Sequence, residues 1–382
     1  MRFKKYDTNW NRKKLSDYVK KITQKNNNNV IKNVICNSAQ NGLIPQLDFF
    51  DKEIANDENT AGYYIINNGN FVYNPRKSLS APYGPVNIYK YDKAGIVSPL
   101  YLCFSVDDCI NKSFLLQRFK SPCWYRYIYL NGDSGARHDR VSIKDEVFLS
   151  QPISLPSTEE QADIAEFLEK IDERITVQNK IIEDLKILKK ELCNKVFRSF
   201  QCVRLGDYIE EITTRNRSNY CDNVLSVSNK LGFVKQSEQF EDRTIASEDK
   251  RNYKVVTTGC FAYNPARINV GSIALLSSDI RGIISPMYIC FKTKHGLSEE
   301  YLNFYYQSGF FFKELQKRLE GSVRQCLTYE NMCDMQIPFA EVERQVEIAD
   351  KLKRFACLIE NEEKYLKLLR RQKAYFLNAM FI

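Results

Sequence analysis

The sequence predicts a mixed α+β fold in which two globular domains of duplicated fold are separated by two long antiparallel coiled-coil helices. Three observations carry this reading. A set of residues recurs at a nearly constant offset through the chain, a charged segment with heptad-spaced apolar positions follows each copy, and short aromatic and β-branched runs fill the rest.

The repeat opens with Leu15, Asp17, Tyr18, Ile22 and Thr23, which return 190 positions later as Leu205, Asp207, Tyr208, Ile212 and Thr213. Gly69, Phe71, Tyr73, Asn74 and Pro75 return at the same offset as Gly259, Phe261, Tyr263, Asn264 and Pro265. Gly95, Ser98, Pro99, Tyr101 and Cys103 reappear as Gly282, Ser285, Pro286, Tyr288 and Cys290, an offset of 187, so the first copy holds three extra residues between Pro75 and Gly95. Runs such as Tyr63 to Ile66, Phe71 to Tyr73, Val86 to Tyr89, Tyr101 to Phe104 and Ser272 to Leu276 have strand composition and are punctuated by Gly, Pro and Asn. Lys25 to Asn29 reads as a loop, and Glu299 to Leu319 as helical, with a counterpart beginning near Ser113.

After each copy the offset settles at 184. Ile164, Leu168, Ile171, Ile175, Ile182, Leu185, Leu192 and Val196 match Ile348, Leu352, Phe355, Ile359, Leu366, Leu369, Phe376 and Met380. Their alternating spacing of four and three makes a helix-helix seam, and its polar interruptions correspond as well, Gln178 with Glu362 and Lys189 with Lys373. Each helix should start near Thr158 or Val342, after Pro152 and Pro156 or Pro338, and Ser157 with Glu160 has capping-box spacing. Helices of about 40 residues are about 60 Å long. Packing on each other is the economical way to bury two seams of one register; the alternative lays each helix on its own globular domain. The expected boundaries are 1–157 and 200–341 for the globular domains, with helices over 158–199 and 342–382.

Composition narrows the function classes. The chain has 382 residues, 43% hydrophobic and 27% charged, with a net charge of +9. Residues 1–157 carry 22 basic and 14 acidic side chains against 17 and 16 in 200–340, so the first half is the more basic. That balance suits a polyanion without establishing one. No stretch has membrane-span composition and the first residues lead into polar sequence, which gives the expectation of a cytoplasmic protein with no membrane partner. Twelve cysteines without a Cys-x-x-Cys pair, and two histidines, offer no zinc spacing, and the cysteines read as reduced, small buried side chains.

No catalytic set emerges. A glycine-rich cofactor loop, a Walker loop and a nuclease cluster are all missing from the sequence, and Asn74-Pro75 and Asn264-Pro265 run on into Arg76 and Ala266 rather than a second proline and an aromatic. What stands out suits nucleic acid. Tyr73, Asn74, Arg76 and Lys77 follow a strand in the first copy, as Tyr263, Asn264 and Arg267 do in the second; Arg137, His138 and Arg140, and Arg324 with Gln325, precede the helices. Arg pairs bidentately with guanine, Asn with adenine, and Tyr can stack or hold phosphate. A Tyr-Asn-Pro turn whose Asn merely bonds its own backbone is the other reading of the same residues.

With these motifs in order, the whole chain resembles the specificity subunit of type I restriction-modification systems. That family's helix start, a proline turn, Glu-Gln and Ile-Ala, is matched by Pro152, Leu155, Pro156, Glu160, Gln161, Ile164 and Ala165, and by Pro338, Arg344, Gln345, Ile348 and Ala349 with Arg344 as the departure. Its Gly-Ser-x-Arg is matched at Gly321, Ser322 and Arg324, and only loosely at Gly135, Ala136 and Arg137. The resemblance implies two target-recognition domains on double-stranded DNA, a bipartite asymmetric target, and helices that serve as spacer ruler and docking surface. It also implies two methyltransferase subunits and translocase-nuclease restriction subunits as partners. S-adenosylmethionine, ATP and Mg would then belong to those partners, with no cofactor or metal on this chain and no catalysis of its own. Two other functions share the pattern: the specificity component of a combined restriction-methylation enzyme, and a coiled-coil scaffold that binds no DNA.

Overall fold

The computed structural model describes residues 1–48, 60–132, 139–229, 231–236, 249–321 and 325–381. The chain divides into two compact units, one of Met1–Asn179 with Tyr365–Ile382, the other of Lys180–Lys364. Each unit holds one copy of the repeat and a segment of both long helices.

The first unit is built on a four-stranded antiparallel sheet in the order Val19–Lys21, Leu102–Val106, Phe71–Tyr73, Val86–Ile88. The second unit repeats it with Ile209–Glu211, Ile289–Thr293, Phe261–Tyr263, Ile273–Leu275. Register is duplicated too: Phe71 faces Phe104 as Phe261 faces Phe291, and both ring pairs are stacked, at 5.5 and 5.1 Å. Alternation along these strands leaves the aromatic face toward the helices and the other face toward a second, smaller apolar cluster. The aromatic segments after the last sheet strand fold as helices, Lys112–Lys120 in the first copy and Glu299–Tyr305 with Gly309–Gln316 in the second, each started by a side-chain cap from Asn111, Ser298 or Ser308.

The long helices span Thr158–Phe197 and Val342–Met380. They start where the sequence places them because a short strand pair ends there, Asn11–Lys14 with Pro152–Leu155 in one unit and Cys202–Arg204 with Gln336–Pro338 in the other. A buried glutamine then locks each start. Gln161 accepts from the Asn111 backbone N–H at 2.9 Å and donates to the Pro156 carbonyl at 3.1 Å; Gln345 accepts from the Ser298 N–H at 2.8 Å and donates to the Ala340 carbonyl at 2.8 Å. Both ends of each amide are satisfied in the interior, which is what a buried polar side chain requires.

Two expectations need correction. Ser157 Oγ does accept from the Glu160 N–H at 3.3 Å, but the box is not reciprocal, because the Glu160 carboxylate turns to Arg2, with two contacts of 2.6 Å, and to Trp10 Nε1 at 3.3 Å. This explains the departure at the matching position: Arg344 has no such arm beside it and pairs with Glu347 at an exposed site. The second correction concerns the seam. Ile164, Leu168 and Ile171 are buried in the core of their own globular domain together with Leu377, Met380 and Phe381 of the other helix. Ile348 and Leu352 likewise share the second core with Cys193 and Phe197. The first turns of each helix therefore bury against both the domain and the partner helix.

Within the first unit the helix segments run antiparallel: Phe167 packs edge-on to Phe376 at 4.9 Å, Arg174 donates to Tyr365 at 2.9 Å, and Lys373 bonds Asp172. The second unit has Lys186 on Glu363 at 2.6 Å in the same sense. Further along the seam, Ile182, Ile359, Leu366 and Leu369 are buried, and Ile175, Leu185, Leu192, Phe355 and Phe376 half-buried. Only four of the twelve cysteines are buried and three are exposed, so the expectation of small buried thiols holds for Cys103, Cys193, Cys260 and Cys290 alone. Burial pushes the thiols of the repeat pair Cys103 and Cys290 up to about 12. Among the described residues no helix is long and apolar enough to cross a membrane.

Candidate nucleic-acid interface

In the first unit the strand Phe71–Tyr73 ends in a turn that delivers Asn74, Arg76 and Lys77 to the surface. The Asn74 carboxamide makes the turn: its Oδ1 accepts from the Arg76 N–H at 3.0 Å and its Nδ2 donates to the Asn37 carbonyl at 3.1 Å. The segment before the long helix is drawn against this turn, with the Lys77 N–H on the Asp139 carbonyl at 2.8 Å and the Val141 N–H on the Pro75 carbonyl at 2.9 Å. Arg76 and Arg140 therefore stand opposite each other in an antiparallel bridge. Two like charges so placed repel, and the Asp139 carboxylate, 3.8 Å from Arg140 Nε, offsets part of that repulsion.

These residues line an open cleft of about 450 Å³ with Ser38, Gln40, Ser98 and Tyr101, and among the described residues no acidic side chain lines it. Burial raises the Tyr101 phenol above its ordinary range, a shift that Arg76 opposes. The phenol stays protonated, so the cleft keeps its positive charge and gains a hydroxyl. The loop depends on Gly84, whose φ is +84° and whose backbone passes so close to Asn74 that an added Cβ would lie 2.1 Å from the Asn74 carbonyl oxygen.

The second unit repeats the construction with different side chains. Asn264 is buried and its Oδ1 accepts from the Ala266 N–H at 3.1 Å. Arg267 is exposed at the start of a short turn of helix, Ile268–Val270, which the fully buried Ile268 pins in place. The Leu327 N–H reaches the Pro265 carbonyl at 3.2 Å, so exposed Gln325 again lies beside the turn. By the same backbone match, Cys326 stands where the first copy has Arg140.

Of the sequence-derived candidates, Arg76, Lys77, Arg140, Arg267 and Gln325 are exposed or half-exposed and grouped as the pattern paired them. Asn74 and Asn264 shape their turns. Tyr73 and Tyr263 are corrections: both are buried, their hydroxyls held by the Tyr83 carbonyl at 3.0 Å and the Thr328 carbonyl at 3.2 Å, because strand alternation turns them into the aromatic core. Arg137 and Arg324 lie outside the described residues. The hairpin Ile35–Ser38 with Gly42–Pro45, which also lines the cleft, is not among the runs the sequence pattern marks; its polar Cys-Asn-Ser composition hides it. Ser98 and Tyr101 belong to a repeated block and were open to discovery on that ground.

Residues 8–186 match the family model of the type I restriction modification DNA specificity domain. Two specificity subunits of Methanocaldococcus jannaschii are similar in sequence. The type I restriction enzyme MjaVIII specificity subunit is 25% identical over 75% of this chain and 70% of its own length. The MjaX subunit, named as putative, is 23% identical over 70% of this chain and 66% of its own length, so the chain spans just under two thirds of that relative. Among solved structures, a chain from a type I restriction-modification system studied for complex assembly and conformational transition superposes with a TM-score of 0.63 at 15% identity, covering 97% of both chains. The type I S subunit of M. genitalium does so at 0.54 and 12%, covering 100% of this chain and 99% of its own. With a duplicated fold, paired long helices and a basic cleft on the first copy, residues 8–186 carry a type I restriction modification DNA specificity domain, and the chain along most of its length is similar to the specificity subunits of such systems.

Proposed function

We propose that the two globular domains each read one half of a bipartite, asymmetric double-stranded DNA target, and that the long helices set the unread gap between the halves. The cationic cleft with Arg76, Lys77 and Arg140 carries this reading, joined to the fact that the matching turn of the second copy has a different residue set, Arg267, Gln325 and Cys326. Two different reading surfaces on one chain call for two different half-sites. The helices also offer exposed apolar positions, among them Val177, Leu188, Leu368 and Tyr375, suited to docking protein. Two methyltransferase subunits there would supply S-adenosylmethionine and adenine methylation, and restriction subunits would supply ATP- and Mg-dependent cleavage. The combined-enzyme and scaffold alternatives gain no support from relatives that are themselves named type I specificity subunits.

Two measurements test it. Arg76→Ala and Arg140→Ala should each flatten the dependence of log affinity on log salt, by about 0.9 for every phosphate the side chain had neutralised. Binding that is insensitive to salt and to both changes would favour the scaffold. Lengthening both helices by one heptad, about 10 Å, should widen the gap in the methylated motif by about three base pairs at 3.4 Å each, with both half-sites unchanged. Changed half-sites across a constant gap would defeat the ruler.

A further inference from the structure

The first cleft is lined, besides Arg76, by the tip of a hairpin whose register closes at Ser38 facing Gly42, leaving Ala39, Gln40 and Asn41 as a three-residue tip. That tip is fixed from two sides. From within, Ser38 Oγ accepts from the backbone N–H groups of Gln40 at 3.3 Å and Asn41 at 3.2 Å. From below, Asn87 Nδ2, on the edge strand of the main sheet, donates to the Ser38 carbonyl at 3.1 Å and to Asn37 Oδ1 at 2.7 Å. Asn37 is itself buried and passes its Nδ2 to the Val72 carbonyl at 2.8 Å. A chain of amides thus runs from the central strand that carries Asn74, through Asn37 and Asn87, to the base of the tip.

The second copy shows that this network is not needed for the fold. Its hairpin closes in the same way, Ser228 facing Gly232, yet Val227 stands at the position of Asn37 and Ala274 at that of Asn87, both in one apolar cluster. The same two strands are held by contact between apolar side chains. The amide pair therefore adds something to the first copy beyond stability, namely a directional tether on the tip. An exposed Gln40 sits at the end of that tether and lines the same cleft as Arg76, Lys77 and Arg140. At the matching position the second copy has Lys230.

We propose that Gln40 reads a base edge in the first half-site, an adenine by its paired donor and acceptor, and that Asn37 and Asn87 are positioning residues that hold its backbone at the cleft while Arg76 and Arg140 hold phosphate. The assignment rests on the DNA-reading role of the cleft. It makes the hairpin tip, rather than the Tyr-Asn-Pro turn, the element that specifies sequence.

The test is selection from a random duplex pool with the full chain assembled with its methyltransferase subunits, followed by sequencing. Gln40→Ala should leave a gapped motif in which one A·T position of one half is relaxed about tenfold and the other half is intact. Gln40→Lys, which installs the second copy's residue, should move preference at that position toward G·C. Asn37→Val with Asn87→Ala, which installs the second copy's pair, should relax the same position while tryptophan fluorescence reports a folded first unit. If that double variant does not fold, Gln40→Ala decides alone. A wild-type motif unchanged by both Gln40 variants overturns this assignment and leaves the DNA-reading role standing; a wild-type complex that selects no gapped motif overturns that role and this assignment with it.

Discussion

Gly84→Ala should unfold the first unit at markedly lower denaturant and abolish reading of one half-site, whereas Gly271→Ala should cost the second unit only the left-handed backbone strain that both positions share and leave reading intact. The two glycines close equivalent turns and have nearly the same φ, +84° and +87°. A side chain in that left-handed region costs about 1–2 kcal/mol on its own. At Gly84 the new Cβ would also meet the Asn74 carbonyl oxygen at 2.1 Å, a backbone atom that cannot swing away, while at Gly271 nothing lies within 4 Å. The Asn74 turn must open, carrying Arg76 and its bridge to Arg140 with it, and a total loss of at least about 2 kcal/mol is expected. Both tryptophans, Trp10 and Trp124, belong to the first unit, so urea unfolding followed by tryptophan fluorescence reads that unit alone. A small effect of Gly84→Ala on the first unit, no more than the left-handed strain alone, would mean that the approach to Asn74 is readily relieved and that the turn does not hold the cleft.

Asp172→Ala should cost the first unit about 2–4 kcal/mol, somewhat under the range for a fully buried broken pair because the carboxylate is partly exposed. Asp172 gathers three donors: Lys373 from the C-terminal helix, Gln117 Nε2 at 3.0 Å and Lys120 Nζ at 3.2 Å. Gln117 commits so fully to this contact that its Oε1 is the one buried side-chain nitrogen or oxygen without a partner among the described residues. Removing the carboxylate leaves Lys373 and Lys120 facing each other, one of them deep in the helix pair. The second copy indicates the remedy. Ala356 occupies the matching position there, and Lys189, the counterpart of Lys373, turns to Gln307 at 2.9 Å and lies 5.4 Å over the Phe304 ring. Since Gln307 matches Lys120, Asp172→Ala with Lys120→Gln should regain most of the loss. A double variant no more stable than the single one would show that the repulsion between lysines is not the cost.

The same cluster gives a pH dependence with a definite sign. Burial alone would raise the Asp172 carboxyl, but Lys120, Lys373 and Gln117 together outweigh it and hold the group below its ordinary range. Stability from a depressed carboxylate is present above the unfolded value, about 3.9, and is lost as pH falls through the lower folded value. The difference between wild type and Asp172→Ala should therefore shrink on strong acidification. Burial first, then Lys120, pull Lys373 the other way, downward, so the pair gains its stability from the carboxylate side.

How far the fold was legible depends on which residues carry it. The aromatic strands at Phe71 and Phe261 and both helix starts were legible because each rests on local pattern: alternation, a proline turn and a heptad. The buried glutamines Gln161 and Gln345 were visible only as a recurring letter, since their function is to satisfy a backbone group about 50 residues away. The candidate site was legible in part. Arg76 and Arg140 could be named from composition and spacing, but that they face each other is a consequence of the Val141 and Pro75 backbone contact.

By itself the sequence determined the duplication, the paired seams, the family likeness and the cationic side chains at the two turns, because periodicity and repetition are properties of the chain. Only the tertiary structure decided the fate of Tyr73 and Tyr263, which residue type suits for nucleic acid and strand alternation sends to the core. It alone brought the hairpin tip of Gln40 to the cleft that Arg76 lines and seated the first seam residues in a globular core as well as on a helix. Each of those outcomes is set by which face of an element meets which neighbour, and that is settled by packing between segments far apart in the chain rather than by the order of residues within any one of them.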